Sequence, residues 1–538
     1  MQDKEKVLSF AKEQAGELSV RLVIEEKTGD GFSIKKDGRS YIITGNNPRS
    51  CLYGVYHIKD GFGQGTFTTS WNIRGIYATE TLSRHSEEQM RKLIDRMGKW
   101  RFNTFVAYTA YGYKEHISLI EEECARRGID IIYYYNTAFQ FMKELDPEKN
   151  FARDPEGRLW TESIMCETRP CLREPDVMEK MEKSMELFFR KELPSNHKNL
   201  LFAPSDGYKV CSCDYCRRLT PMEQWLPLQD GILKHMRKYA PDRQVLSQIY
   251  VHRYRPPADL GSYKDVDRIF FDTHQRDRWH PLGHGHPPTV FHRESEVDWS
   301  AKNTPLNVYF LDRIKEWLNR LGKPVVLFEN LMVQGTLSCG QFNTSVLIED
   351  LRILEKIGVD GMLYEGFEPG IESFSDEFTH LSWAMWDTDY KYQPGGIESW
   401  ALQKFEKQDK SIDFNTEIGT MGNLVPAVLP SFPWDTAREE MDHIHFEYLG
   451  YFARFNQRIT LANAANVIDH IYEYPERFDR LFIGFWILRR LFRDKGIEGL
   501  TPREENFLSF EKLWDFMEIE PQPRKAVDKL IHSIREKL

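Results

Sequence analysis

Nine polar residues sit where apolar runs of this chain stop: Glu80, Tyr108, Asn136, Asp206, His252, Asp272, His274, Glu329 and Glu365. Their types are those of acid–base chemistry. Two carboxyl groups in different surroundings divide into a protonated acid and an ionised base or nucleophile. Held about 5–5.5 Å apart across a glycosidic bond, such a pair cleaves it with retention of configuration. Asp206, Glu329 and Glu365 are the candidates for that work, and the others for contacts to a substrate. Asp206 and Glu365 are each followed by glycine, which allows a sharp turn and close approach of a ligand. A helix cap or a pair with arginine is the competing use of any one of these acids.

Other residues invite chemistry with less force. Cys211-Ser-Cys213-Asp-Tyr-Cys216 offers three thiolates to a structural zinc, with Cys166, Cys171 or a histidine as fourth ligand. A buried thiol cluster without metal is the alternative. His280, His284 and His286 share a Pro/Gly loop without helical i,i+4 spacing, so a polar loop lining a cleft fits them better than a metal site. Trp383 and Trp386 suit either a wall for stacking sugar rings or the apolar seam of a helix. Arg74 stands inside an apolar run, and a buried guanidinium needs a partner. It is a core ion pair or a group waiting for a ligand.

The elements that must position these residues alternate. Ile73 to Ala78, an apolar helix-period segment from Glu87 to Trp100, and Phe102 to Tyr108 read as an opening β-α-β unit. Further strands are expected at Ile129–Asn136, Asn199–Asp206, Gln244–Val251, Asp267–Asp272, Lys323–Glu329 and Val359–Glu365. The helix from His116 to Arg127 should end at Gly128, a natural left-handed stop. Eight strands alternating with helices favour an α/β (β/α)8 TIM barrel over residues 71–395, with the C-terminal strand ends forming one mouth. Before it, residues 1–70 read as a small α+β domain with strands Leu18–Ile24, Gly31–Lys35 and Ser40–Thr44, a helix Cys51–Ile58, and a linker marked by Gly61, Gly63 and Gly65. After it, residues 396–538 lose the strand pattern and read as a helical domain that covers the barrel or forms a homodimer.

Composition narrows the class. The chain has 538 residues, 41% hydrophobic and 29% charged, as befits a globular protein of several domains. The net charge of −10 and the lack of a long basic run speak against nucleic acid as a partner. No run of about 18 uninterrupted apolar residues suggests a membrane span. The first residues, Met-Gln-Asp-Lys-Glu-Lys-Val, lack the apolar region of a signal peptide, and eight cysteines in this length do not make a disulfide scaffold. A cytoplasmic location is the simplest expectation. No Gly-x-Gly-x-x-Gly follows the first strand, which weakens nucleotide-binding readings.

Longer motifs carry a resemblance. Arg74-Gly-Ile-Tyr with Ser83-Arg-His85, Leu93-Ile-Asp-Arg-Met-Gly-Lys-Trp-Arg-Phe-Asn103 and Glu123-Cys-Ala-Arg-Arg-Gly-Ile-Asp130 resemble the barrel start of family 20 β-N-acetylhexosaminidases. Ile43-Thr-Gly-Asn with Leu52-Tyr-Gly-Val-Tyr resembles the module preceding the barrel in that family and in family 67 α-glucuronidases. Ser205-Asp206-Gly, the cysteine motif and Trp386-Asp-Thr-Asp look most like the domain-of-unknown-function 4838 group, which includes family 163 endo-β-N-acetylglucosaminidases. The resemblance spans about residues 35–400 and implies a retaining glycosidase that needs no cofactor for catalysis and acts on an oligosaccharide or glycoside. By that resemblance Arg74 would bind sugar hydroxyls and Asp206 would orient a substrate acetamide acting as nucleophile. The chain departs from family 20 where Asp206 is followed by Gly207 rather than the acid Glu, so Glu329 or Glu365 would supply the acid. An α-glucuronidase-like enzyme, with Arg253, Arg255, Arg276 and Arg278 as cations for a uronate, is one alternative. A non-catalytic carbohydrate-binding protein on a degenerate barrel is the other.

Overall fold

The computed structural model describes residues 4–78, 86–109, 113–154, 156–159, 170–204, 211–250, 253–273, 281–284, 306–329, 344–365, 375–387 and 389–392. The helical domain expected at 396–538 lies outside these residues.

A four-stranded sheet comes first. Its strands are β1 (Val20–Ile24), β2 (Gly31–Asp37), β3 (Ser40–Gly45) and β4 (Gly65–Thr68), in the order β1-β3-β2-β4. The fourth strand corrects the expectation of a linker. Gly65 pairs with Ile34 and Phe67 with Phe32, antiparallel along the edge of β2, and no long apolar run announces so short an edge strand. Two helices pack beside the sheet. Helix α1 (Lys4–Ala15) buries Val7, Phe10, Ala11 and Ala15 at helical spacing, and α2 (Pro48–Lys59) starts with Asn47 accepting the Ser50 N–H at 2.9 Å.

Eight parallel strands then close a barrel: β5 (Ile73–Ala78), β6 (Thr104–Tyr108), β7 (Asp130–Asn136), β8 (Asn199–Ala203), β9 (Gln244–Ile249), β10 (Arg268–Asp272), β11 (Val325–Glu329) and β12 (Gly361–Glu365). Closure comes from β12 pairing with β5, Gly361 against Ile73 through Glu365 against Tyr77. The crossovers carry α3 (Glu87–Lys99), α4 (Tyr113–Arg127), the short α5 (Thr137–Phe141) and α6 (Pro147–Asn150), then α7 (Pro175–Leu187), α8 (Pro221–Tyr239), α9 (Leu306–Leu321) and α10 (Thr344–Ile357); α11 (Ser375–Trp386) follows β12. Sequence chemistry explains α3 well. Ser86 and Gln89 form a reciprocal capping box, Glu87 and Glu88 face the positive helix start, and Met90, Leu93, Ile94 and Met97 make the buried stripe. Helix α4 stops at Gly128, whose φ of 66° is the left-handed turn expected there. Gly75 is needed in β5, because a Cβ there would lie 1.7 Å from the Thr104 carbonyl oxygen.

A buried ionic hub joins the small sheet to the barrel. Asp30 accepts from Arg74 Nη2 at 2.6 Å, Arg49 Nε at 2.8 Å, Asn47 Nδ2 at 2.9 Å and Asn103 Nδ2 at 3.0 Å. Arg74 also donates to the Arg101 carbonyl through Nε and Nη2, both at 3.1 Å, and to the Trp71 carbonyl. The Trp386 ring lies 5.3 Å from its guanidinium carbon. Arg101 closes α3 with a φ of 60°, a costly conformation for a side chain larger than glycine, and its carbonyl thereby meets Arg74. Burial opposes the Asp30 charge, but Arg49 and Arg74 outweigh it and hold the carboxyl far below the usual carboxylate range. Nearby, His57 lies among Phe32, Phe62 and Phe67, and its Nδ1 is 3.3 Å from Arg101 Nη2. Burial, and after it the charge of Arg101, lowers His57 to about 4.

Removing one partner of so buried a pair strands the other charge. Arg74→Met is therefore expected to cost about 3–5 kcal/mol in urea denaturation, and Asp30→Asn combined with it less than the sum of the two single changes. The histidine gives a pH dependence. Its folded pKa is depressed, so its contribution is complete above 6.5 and is lost as the pH falls toward 4. The melting temperature should fall across that window, and His57→Gln, which keeps an acceptor for Arg101, should make the fall shallower; an unchanged slope would remove His57 from the account.

Candidate active site

Side chains of a barrel strand alternate between lumen and helix layer. One apolar cluster fills the lumen, with Tyr108, Tyr134, Phe270 and Phe328 its largest members and Tyr77 packed against it. Their rings touch in sequence: Tyr108 to Tyr134 at 4.7 Å, Tyr134 to Tyr77 at 5.3 Å, Tyr77 to Phe328 at 4.8 Å and Phe328 to Phe270 at 5.3 Å. Following the alternation upward, the last inward positions on β5 to β12 are Tyr77, Tyr108, Asn136, Ala203, Gln248, Asp272, Phe328 and Glu365. An aromatic floor thus carries a polar rim with two carboxyl groups. Asn136, Gln248, Asp272 and Glu365 are all buried. Gln248 Nε2 donates to Asp272 Oδ2 at 3.3 Å. Asp272 and Glu365 stand on strands separated only by β11, so their backbones are about 10 Å apart along the wall and their side chains point into one space.

The alternation sorts the expected residues. Tyr108, Asn136, Asp272 and Glu365 meet at this mouth. Glu329 also ends a strand, but it follows Val325 and Leu327 on the helix-facing side; it is fully buried, and Thr273 Oγ1 lies 3.3 Å from its Oε2. Arg74 shares its parity with Ile76 and Ala78, which face outward, and it is spent on Asp30 near the opposite end of the strand. Its expected contact with sugar is corrected to the core ion pair. Trp386 packs on Phe32 at 5.4 Å and Tyr53 at 5.8 Å, and Trp383 on Phe62 at 5.4 Å. Both tryptophans join α11 to the first domain rather than forming a wall at the mouth. Arg253 is buried with its guanidinium 5.6 Å from the Trp225 ring, and Arg255 is exposed. Glu80, Asp206, His252, His274, Arg276, Arg278, His280 and His286 lie outside the described residues; His284 is exposed.

Three rim or floor residues escaped the sequence reading: Gln248, Tyr77 and Tyr134. Their signal was the two-residue period itself. Gln248 lies two positions after the inward Leu246, and Tyr134 two after Ile132.

The cysteine motif folds as a cluster in the connection between β8 and α8. Cys211, Cys213 and Cys216 are joined there by Cys171, from the connection between β7 and α7. Cys166 lies outside the described residues.

No family model matches the chain, and no curated protein does. Solved structures similar to it include a family 138 glycoside hydrolase enzyme targeting pectin rhamnogalacturonan II, at 12% identity and a TM-score of 0.47 over 94% of this chain and 85% of that one. A β-N-acetylhexosaminidase from Bacteroides fragilis is similar at 11% identity and a TM-score of 0.45, over 72% and 83%. A family 89 enzyme from Clostridium perfringens, in complex with GlcNAc-α-1,4-galactose, is similar at 13% identity and a TM-score of 0.48, over 90% and 64%. None of these likenesses assigns chemistry to this chain.

Proposed function

We propose that this chain is a glycoside hydrolase, retaining and β-N-acetylhexosaminidase-like, acting on an oligosaccharide or glycoside at the barrel mouth. The observation that carries the reading is the inward pair Asp272 and Glu365 over an aromatic floor, with Asn136 and Gln248 beside it and no cationic residue among the last inward positions. That mouth offers proton transfer, hydroxyl-binding amides and an apolar base for a sugar ring. Among the described inward positions no cation faces a uronate, while Arg276 and Arg278 lie outside the described residues. The motifs resembling family 20 and the domain-of-unknown-function 4838 group supply the finer assignment.

In this reading Glu365 is the acid. It protonates the glycosidic oxygen as the C1–oxygen bond breaks, while the substrate's acetamide oxygen, oriented by Asp206, forms the new bond to C1. Glu365, now ionised, takes a proton from water, whose oxygen attacks C1 and releases the acetamide, so configuration is retained overall. Asp272, held by Gln248, binds sugar hydroxyls or supports the positive charge at C1. What favours Glu365 over Glu329 is the inward side of its strand. No cofactor takes part. We read the enzyme as cytoplasmic and its chain as three domains, 1–70, 71–395 and 396–538.

A screen of the purified protein against nitrophenyl β-GlcNAc, β-GalNAc, glucuronides and neutral glycosides tests this. One N-acetyl-β-hexosaminide should turn over. Glu365→Gln and Asp206→Asn should each cost about 10²–10⁴-fold in kcat, and Glu329→Gln much less. Turnover of glucuronides alone would favour the α-glucuronidase reading. Sugar binding without any turnover would favour the carbohydrate-binding protein.

A further inference from the structure

The cysteine cluster is separate from the apolar clusters of the barrel lumen and the main core. Among the described residues, its four thiols group with Ala152 and Leu172. All four sulfur atoms lie within 4.8 Å of one another, and those of Cys171 and Cys213 are 3.6 Å apart. Four zinc–sulfur bonds of about 2.3 Å in a tetrahedron set neighbouring sulfurs about 3.8 Å apart, whereas a disulfide brings two of them to about 2.05 Å. The spacing is therefore that of ligands around a common centre.

The main chain also holds the cluster together. The Cys216 N–H donates to Cys213 Sγ at 3.4 Å, across the C-x-x-C turn. Cys171, Cys211 and Cys216 are buried, so a metal held there would be shielded from solvent.

We propose that Cys171, Cys211, Cys213 and Cys216 bind one zinc ion in a closed, structural site. Four protein ligands leave no position for water, so the ion has no hydrolytic role. Its task is to fasten the β7–α7 connection to the β8–α8 connection. Main-chain bonds already bring the two together, Ser212 N–H to the Arg153 carbonyl at 2.8 Å, with Cys171 N–H held by the Asn150 carbonyl at 2.7 Å. At this junction the ion serves as a small core of its own. This assignment does not rest on the hydrolase reading.

Elemental analysis of the full chain, purified without chelator, tests it. One zinc per chain is expected, released in step with modification of the thiols. Cobalt exchanged into the site should give the charge-transfer and ligand-field bands of a tetrahedral four-thiolate complex. Cys171→Ser and Cys213→Ser should each lower the bound zinc and the melting temperature. If those variants do not fold, the metal content and cobalt spectrum of the unaltered protein still decide. Full-length protein with no zinc above background, iron in its place, or a disulfide within the cluster under non-reducing mass spectrometry would overturn the proposal.

Discussion

The two-residue alternation of a closed barrel wall is the constraint from which the other features follow. A side chain on such a wall enters the lumen or meets the helix layer, and its neighbours in sequence take the opposite side. On β5 this sends Tyr77 inward and Arg74 outward. On β12 it sends Glu365 inward, while on β11 it sets Glu329 with the outward residues. Two glutamates that each end an apolar strand thus acquire different surroundings from their register.

The outward side has its own work. Arg74 cannot be buried among helices without an anion, and the first domain supplies Asp30. The same carboxylate takes Arg49, which reaches on to Asp130 at the start of β7 at 2.6 Å. One acid therefore ties the small sheet to three barrel elements, with Asn103 before β6 as the third. Trp386 covers Arg74 and also lies 5.9 Å from Arg101, so the end of α11 seals the polar hub with an aromatic face. The left-handed Arg101 is explained by this packing, because its carbonyl and its side chain serve different partners in the same hub.

The barrel was legible in the sequence because its strands are short β-branched and aromatic runs separated by helix-period segments. Gly128 was legible because a helix that ends in left-handed geometry favours glycine there. The edge strand Gly65–Thr68 was not, since Gly61, Gly63 and Gly65 look like a linker and only pairing with β2 makes a strand that starts at the last of them. At the mouth, strand ends pointed to Tyr108, Asn136, Asp272 and Glu365, but an end residue alone does not reveal its side. Arg74 and Glu329 were misjudged or undecided for that reason, and Gln248 was overlooked. The tryptophans of α11 were ambiguous because i,i+3 spacing serves a helix seam and a stacking wall equally. Cys171 lies 40 positions before Cys211, and only the fold brings the two connections together.

The aromatic floor and polar rim suit a reaction in which an apolar ring face is held while a proton moves at one edge. The central claim is that Glu365 delivers that proton to the departing oxygen. Dependence of rate on the leaving group tests it most directly, because an acidic alcohol departs without help and an ordinary sugar alcohol does not. For Glu365→Gln, the loss of kcat/KM relative to the unaltered enzyme should be small on a dinitrophenyl glycoside and much larger on the matching disaccharide. An equal loss on both substrates, or the leaving-group pattern appearing in Glu329→Gln instead, would contradict the account.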